Sequence, residues 1–520
     1  MLLCSSEPDL EQSDMSQPFQ LVGVVGAGAM GRGIAQMAVQ AGCKVKVFDT
    51  STQACEAALQ NVQQQWERMA AKGKCTPEQH SQWQSSLTTV TSLSDLAPCD
   101  LIVEAIVERL DVKRDVFGQL EAVVSNTAVL ATNTSSLSVT AIAAGLKHPE
   151  RMAGYHFFNP VPLMRLAEII PGIKTAPDVC QRLDALTRAM GHTPVLAQDT
   201  PGFIVNHAGR AYGTEALRIV GESVSDFATI DRILRDQAGF RLGPFELMDL
   251  TALDVSHPVM ESVYHQYYEE PRYRPSVITA QRLAGGIVGK KVGEGFYTYQ
   301  DGVAQVPAEP TTPVVTQLPP VWVSPKAARR PELYQLLKNL GAQIETGQVP
   351  SDQALILVAP LGMDVTTIAA VERLDPTRTM GIDMLMPDDA VKRRVLATNP
   401  ATREDMRDAA HALFASDGKA VSVIKDSGGF VTQRVLAAIV NIAADICQQS
   451  ICTPDDLDLA VSLGLGYPKG PLAWGDELGP TNVLETLFNL QTVYGDPRYR
   501  PSPWLRRRGA LGLSLKHQEI

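Results

Sequence analysis

The stretch from residue 21 to residue 49 constrains this chain more than any other. Leu21-Val-Gly-Val-Val25 has the pattern of a buried strand and runs straight into Gly26-Ala27-Gly28-Ala29-Met30-Gly31, a GxGxxG. Helical periodicity follows over residues 32–40, then a second strand pattern over 44–49 that ends in Asp49. A lone glycine triplet says little. Strand, glycine loop, helix, second strand and terminal acid in that order specify a dinucleotide cradle. Gly26 permits the tight turn, Gly28 lets a pyrophosphate approach the backbone, and Gly31 lets helix and strand pack closely. The helix N-terminus offers unpaired N–H groups and the positive end of its dipole. Asp49 accepts hydrogen bonds from an adenosine ribose and repels a 2′-phosphate, which favours NAD over NADP. Residues 26–31 and Asp49 are the expected cofactor site.

The same alternation continues. Strand patterns recur at 100–104, 129–133, 152–156, 165–170 and 193–196, separated by helical segments such as 52–71. That order predicts a Rossmann-type α/β domain over 19–200, with a parallel sheet between helices. Residues 1–18 read as a disordered tail. Helical periodicity takes over at 201–299, notably 203–220 and 227–238, which predicts a separate all-α domain. Residues 300–320 carry AEPTTP and QLPP and read as a Pro-rich linker.

The remainder repeats the beginning in altered form. Arg151 through Pro160 matches Arg378 through Pro387, and Asp199-Thr-Pro-Gly-Phe203 matches Asp426-Ser-Gly-Gly-Phe430, both at an offset of 227 residues. Gly243-Pro244 matches Gly470-Pro471 at the same offset, and PRYRPS occurs at both 271 and 497. The expectation is a vestigial α/β domain over 321–425 and a second all-α domain over 426–520. Positions needed for chemistry change in this copy: His156 becomes Asp383, Asn159 becomes Met386, Glu168 becomes Val395 and Asn206 becomes Gln433. No GxGxxG precedes them, so the second copy is expected to be catalytically dead. It leaves two assemblies open, a homo-oligomer or an intrachain pseudo-dimer of the two helical domains.

Bulk properties narrow the function. A chain of 520 residues with 45% hydrophobic and 20% charged residues builds ordinary cores without metal or disulfide staples. A net charge of −11 disfavours nucleic acid as a partner. The eight cysteines form no CxxC pair or metal-ligand spacing and read as reduced thiols of a cytoplasmic protein. The acidic start lacks a signal-peptide pattern, and no apolar run is long enough for a membrane span.

Chemistry is suggested by Gly154-Tyr-His156-Phe-Phe-Asn159-Pro and by Leu166-Ala-Glu168-Ile-Ile. A carboxylate among Leu, Ala and Ile is costly unless paired. His156, at the end of the preceding apolar strand, is the economical partner, giving a base with an orienting acid. Asn133-Thr-Ser135-Ser136 follows a buried strand, where ligands of open α/β sheets bind. An N-cap cluster explains Ser136 and Ser138 equally well. Asn206, after the Pro201-Gly202 break, would by itself be an ordinary helix residue.

With these residues in view, 19–299 resembles the 3-hydroxyacyl-CoA dehydrogenase family. The motifs are the glycine loop with Asp49, Val103-Glu-Ala-Ile-Val-Glu108, Asn133-Thr-Ser135-Ser136, His156-Phe-Phe-Asn159-Pro, Glu168, Pro201-Gly-Phe-Ile-Val-Asn206 and Gly289-Lys-Lys291-Val-Gly-Glu-Gly-Phe-Tyr297. The duplicated tail is similar to that of long bacterial members associated with phenylacetate catabolism, which act on 3-hydroxyadipyl-CoA or related short thioesters. The resemblance implies NAD as cofactor and an acyl-CoA as substrate. It implies His156 as catalytic base held by Glu168, and Ser135 and Asn206 on the substrate oxygen. Asn159 would shape the substrate site, and Glu108, Lys113 and Lys291 would contact the cofactor. Lys72 or Lys74 would meet CoA phosphates, although lysines ending a helix have a plain dipole explanation. Two rivals remain open: an NAD enzyme acting on a free hydroxy acid, and a non-enzymatic NAD-binding structural protein.

Overall fold

The computed structural model describes residues 18–519, so most of the expected tail lies outside the described residues. The chain divides into two compact units, 1–200 and 201–520.

The first unit is built on eight strands: β1 (Leu21–Val25), β2 (Lys44–Phe48), β3 (Leu87–Val90), β4 (Leu101–Glu104), β5 (Val129–Thr132), β6 (Met152–Phe157), β7 (Leu166–Pro171) and β8 (Thr193–Leu196). They form one sheet in the order β3-β2-β1-β4-β5-β6-β7-β8. Every neighbouring pair is parallel except β6 and β7. Strand order reverses direction between β1 and β4, which is where a doubly wound sheet opens a ligand crevice. Alternate residues feed two cores. Val22, Val24, Ile34 and Trp66 fill one face, and Val25, Ile102, Phe117 and Leu130 the other. Burying side chains of this size stabilises by roughly 1.5–3 kcal/mol each.

The expected strands are present to within one residue at each end. The strand not anticipated is β3, whose LTTV exposes both threonines on a sheet edge. The first helix begins at Ala29, not residue 32, because Gly28 is its N-cap.

The second unit opens with helices Val205–Ala208, Arg210–Gly221, Phe227–Ala238, Pro244–Thr251, Leu253–Gln266 and Val277–Ala284. The single helix expected over 203–220 is therefore two. Phe203 sits at φ 47, and helical structure starts after it. At the joint near Gly209 the Asn206 carbonyl accepts from Arg210 Nε at 2.7 Å.

The expected linker over 300–320 is only partly one. β9 (Tyr299–Gln300) and β10 (Val303–Ala304) form a hairpin. It turns on Asp301-Gly302, both at positive φ, the Asp-Gly signal of a tight hairpin. Glu309 farther on is held by Arg393 through bonds of 2.8 and 2.9 Å.

Five strands follow: β11 (Val321–Val323), β12 (Leu355–Val358), β13 (Thr379–Ile382), β14 (Arg393–Ala397) and β15 (Ala420–Ile424). Their order is sequential, with only β13 and β14 antiparallel. This is the connectivity of β4 to β8, without a counterpart of the glycine-loop half. Landmarks 227 apart take the same local structure. Asp199 accepts from the Val139 and Thr140 N–H groups, and Asp426 from those of Val365 and Thr366. Asp231 accepts from Phe245 and Glu246, and Asp458 from Leu472 and Ala473.

Helices Thr432–Gln448, Pro454–Leu465, Pro471–Leu478, Pro480–Tyr494 and Pro503–Leu511 complete the unit. They touch the helices of 201–299 through a buried ionic cluster. Arg434 Nε lies 2.8 Å from Glu215, with both side chains fully out of solvent. Arg434 also meets Glu222 at 2.7 Å, and Arg272 meets Asp445 at 2.7 Å.

Candidate active site

The crevice at the carboxyl ends of β1, β4, β5 and β6 is built first from glycine. Gly26 has φ 109, closed to most side chains. A Cβ on Gly31 would lie 1.8 Å from the Gly26 carbonyl oxygen, so helix and strand meet there only through glycine. A Cβ on Gly28 would meet nothing within 4 Å, leaving open space above the loop. Gly28 caps the helix Ala29–Gln40 without a side-chain acceptor, so its first N–H groups are presented to whatever occupies that space. The Asp49 carboxylate closes β2, accepting from the Ala27 N–H at 2.8 Å and the Ser51 N–H at 2.9 Å. Open space over glycine, uncapped N–H groups and an acid at the end of the second strand fit the diphosphate and ribose of NAD.

Glu104 ends β4 completely buried. It accepts from Lys113 Nζ at 2.6 Å, Thr132 Oγ1 at 2.7 Å and the Ile106 N–H at 2.7 Å. Lys113 shares its helix face with Phe117 and Leu120 and is itself 1% exposed. Its ammonium also reaches Glu108 at 3.3 Å. Glu108 then gathers the loop after β5, accepting from Thr134 Oγ1 at 2.6 Å and from the Ser135 and Ser136 N–H groups at 2.8 and 3.0 Å. Burial opposes the charge of Glu108. Lys113 and these loop donors outweigh it and hold the carboxyl below its usual range. Glu108 and Lys113, two of the residues expected on the cofactor, are thus tied to each other and to the loop carrying Ser135.

Asn133, the first residue of the Asn-Thr-Ser-Ser motif, joins two strands. Its Oδ1 accepts from the Phe157 N–H at 2.9 Å, and its own N–H donates to the Glu104 carbonyl at 2.8 Å. This fixes the end of β6 that bears His156.

His156 and Glu168 are register partners across the antiparallel β6/β7 pair. Nδ1 of His156 lies 2.6 Å from Oε2 of Glu168, with 6% and 0% of the side chains exposed. The Phe158 ring packs 4.5 Å from the imidazole. A side-chain period of two puts both residues on the same sheet face only because the strands pair in this register. Ser135 follows the carboxyl end of β5 and His156 is the last residue but one of neighbouring β6, the same end as the glycine loop. Asn159 lies exposed just after β6. A buried carboxylate on Nδ1 orients the ring and stabilises an imidazolium, leaving proton transfer to the Nε2 side.

Asn206 and Lys291 lie in the second unit. Asn206 is in the short helix Val205–Ala208, and Lys291 pairs with Asp254. Lys72 caps the helix Thr52–Ala71, and it and Lys74 are exposed. The seven cysteines of the described residues are free thiols. No helix among the described residues is long and apolar enough to cross a membrane.

Comparison with known proteins matches this architecture. The model of the 3-hydroxyacyl-CoA dehydrogenase NAD-binding domain covers residues 21–200, and that of the C-terminal domain covers 202–299 and 429–518. The chain is 37% identical to the 3-hydroxyadipyl-CoA dehydrogenase of Escherichia coli, over 95% of this chain and 98% of the relative. A probable 3-hydroxybutyryl-CoA dehydrogenase of Deinococcus radiodurans is 38% identical, covering 53% of this chain and 99% of its own. A crystal structure of an E. coli 3-hydroxybutyryl-CoA dehydrogenase superposes with TM-score 0.81 at 36% identity, over 95% of this chain and 98% of that one. The chain belongs to the 3-hydroxyacyl-CoA dehydrogenase family and is an NAD-dependent oxidoreductase.

Proposed function

We propose that the protein oxidises a short (3S)-3-hydroxyacyl-CoA to the 3-oxoacyl-CoA, with His156 as base and Glu168 as its orienting acid. The observation that carries this reading is the buried 2.6 Å contact between the two, at the strand ends that also bear the glycine cradle. His156 Nε2 takes the proton of the substrate 3-hydroxyl. Glu168 keeps the Nδ1 proton in place and compensates the imidazolium charge. Ser135 and Asn206 donate to the substrate oxygen as charge develops, and Asn159 shapes the thioester end. Glu108, Lys113 and Lys291 serve the cofactor, the first two by holding the Ser135 loop as much as by direct contact. Bound at the cradle, NAD supplies the acceptor for the hydride that leaves carbon 3.

The domain reading follows. Residues 19–200 form the NAD-binding domain, 201–299 a substrate domain, and 321–425 and 426–520 a degenerate repeat of both, joined by 300–320. The shared strand connectivity and the matched aspartate caps support the repeat. The loss of His156, Glu168 and the glycine loop at the corresponding positions leaves the second copy without chemistry. The ionic cluster around Arg434 supports an intrachain pseudo-dimer of helical domains.

The E. coli matches that span nearly the whole chain carry different substrate names, adipyl and butyryl. We place the substrate among short 3-hydroxyacyl-CoAs, including the dicarboxylic adipyl member, as used in phenylacetate or fatty-acid catabolism. Steady-state NADH formation with a panel of these thioesters and the matching free hydroxy acids tests the reading. Turnover of thioesters is expected. Turnover of the free acids alone would replace it with a hydroxy-acid dehydrogenase, and none with either would leave a binding protein.

A further inference from the structure

Within the second unit, a cavity of about 290 Å³ opens beside Asn206. Its walls are mostly apolar: Met248, Val259 and Met260 line it from 201–299, and Leu465 from the second helical segment. Leu465 is not incidental, because its Cδ1 comes within 3.1 Å of where a Cβ on Gly209 would be. A chain ending near residue 299 would lack this wall.

Thr251 and Ser256 at its edge are satisfied by carbonyls of their own helices, which leaves two further polar groups, Tyr467 and Arg210, in the lining. The Tyr467 hydroxyl is buried without a hydrogen-bond partner among the described residues. Arg210 sits one helical turn after Asn206 and uses Nε on the Asn206 carbonyl at 2.7 Å. No aspartate or glutamate of the described residues lies within 4.0 Å of its guanidinium. Three of the most buried arginines of this unit are paired with acids: Arg434 with Glu215, Arg393 with Glu309, Arg272 with Asp445. Desolvation without a nearby acid pulls Arg210 down to about 10, still a cation at neutral pH. A guanidinium carries five N–H donors in a planar fork shaped for a carboxylate. An unpaired cation and an unsatisfied phenol lining one apolar cavity are each costly unless an anion joins them.

We propose that this cavity receives the distal end of the acyl chain and that Arg210 and Tyr467 bind an ω-carboxylate there, making the enzyme selective for a short dicarboxylyl-CoA. One turn of helix, about 5.4 Å, separates Asn206 from Arg210, which suits a chain with few carbons beyond carbon 3. The second half of the protein then has a use without chemistry of its own: it supplies Tyr467 and Leu465. The proposal rests on the assignment of Asn206 to the substrate oxygen.

The test compares kcat/KM for (S)-3-hydroxyadipyl-CoA and (S)-3-hydroxyhexanoyl-CoA, which share six carbons and differ in the terminal carboxylate. The full-length enzyme should prefer the dicarboxylate. Arg210→Met should lower the adipyl-to-hexanoyl ratio by about 30-fold or more, and Tyr467→Phe by about 10-fold in the same direction. Tyr467→Phe keeps the ring in place and carries the test if the arginine variant fails to fold. A ratio unmoved in Tyr467→Phe and in every folded Arg210 variant overturns the proposal. So does a wild type that prefers the hexanoyl thioester, or an equal loss on both substrates. A wild type inactive on both thioesters would instead sink the dehydrogenase reading beneath it.

Discussion

Replacing Glu168 by Gln removes one charge and almost no volume from the centre of the site. Glu168 is fully buried and its Oε2 stands 2.6 Å from His156 Nδ1. When His156 takes the substrate proton, an imidazolium forms beside that carboxylate. With charge centres about 4 Å apart and an effective dielectric near 20, their attraction is about 4 kcal/mol. An amide keeps the shape but supplies none of this, and its NH2 group can hold the ring in the wrong tautomer. At about 1.4 kcal/mol per tenfold, kcat should fall about a thousandfold. The assay is NADH formation at saturating thioester and NAD, with the dissociation constant of NADH measured by fluorescence on the same variant. NADH affinity should stay within about threefold, because Glu168 belongs to the β7 side of the site and not to the glycine cradle. A Glu168→Gln enzyme with kcat within threefold of wild type would refute the charge argument. A variant that lost NADH affinity as well would show that Glu168 holds the fold and not the imidazole.

Two further outcomes concern the second unit. Arg434→Met should destabilise by about 3 kcal/mol in denaturant unfolding, because it removes the nearer of two arginines from the fully buried Glu215 and leaves it only Arg498 at 3.3 Å and the Tyr499 hydroxyl at 2.6 Å, and Glu215→Gln added to it should recover part of the loss; a change under about 0.5 kcal/mol would remove the cluster from the account. Burial raises Asp383 from 3.8 to about 6, with Gln433 and the Leu385 N–H both donating to Oδ1 and Oδ2 left without a partner. The folded chain therefore holds that proton to higher pH than the unfolded one. Stability should fall as pH rises from about 4 to 6 and stay reduced above, by about 3 kcal/mol relative to Asp383→Asn. Parallel stability curves for the two proteins across pH 4–8 would contradict it.

Much of the site was readable because its chemistry forces unusual residues into apolar patterns. Glu168 between Ala167 and Ile169 had to be paired, and the glycine loop had to be glycine. Lys113 entered only through the family resemblance, as a cofactor contact; with Phe117 and Leu120 at helical spacing, the same logic places it on the buried face of its own helix, where it needs an acid partner. β3 was missed because two exposed threonines on a short edge strand carry no hydrophobic signal. The hairpin at Asp301-Gly302 was legible as a turn signal but was overridden by the prolines that follow it. The cavity of Arg210 and Tyr467 joins residues from two helical segments far apart in the chain. No local pattern announces that an arginine will lack an acid partner. Pairing is a tertiary fact, and the sequence of either segment alone is compatible with a surface position.

His156→Gln tests the central claim most directly. Titrated with NADH, the variant should bind the cofactor with nearly unchanged affinity, since the glycine cradle and Asp49 are untouched. Given NAD and a short (S)-3-hydroxyacyl-CoA, it should form no measurable NADH. Turnover near the wild-type rate would mean that some other group takes the hydroxyl proton, and that the imidazole beside Glu168 is only part of the packing.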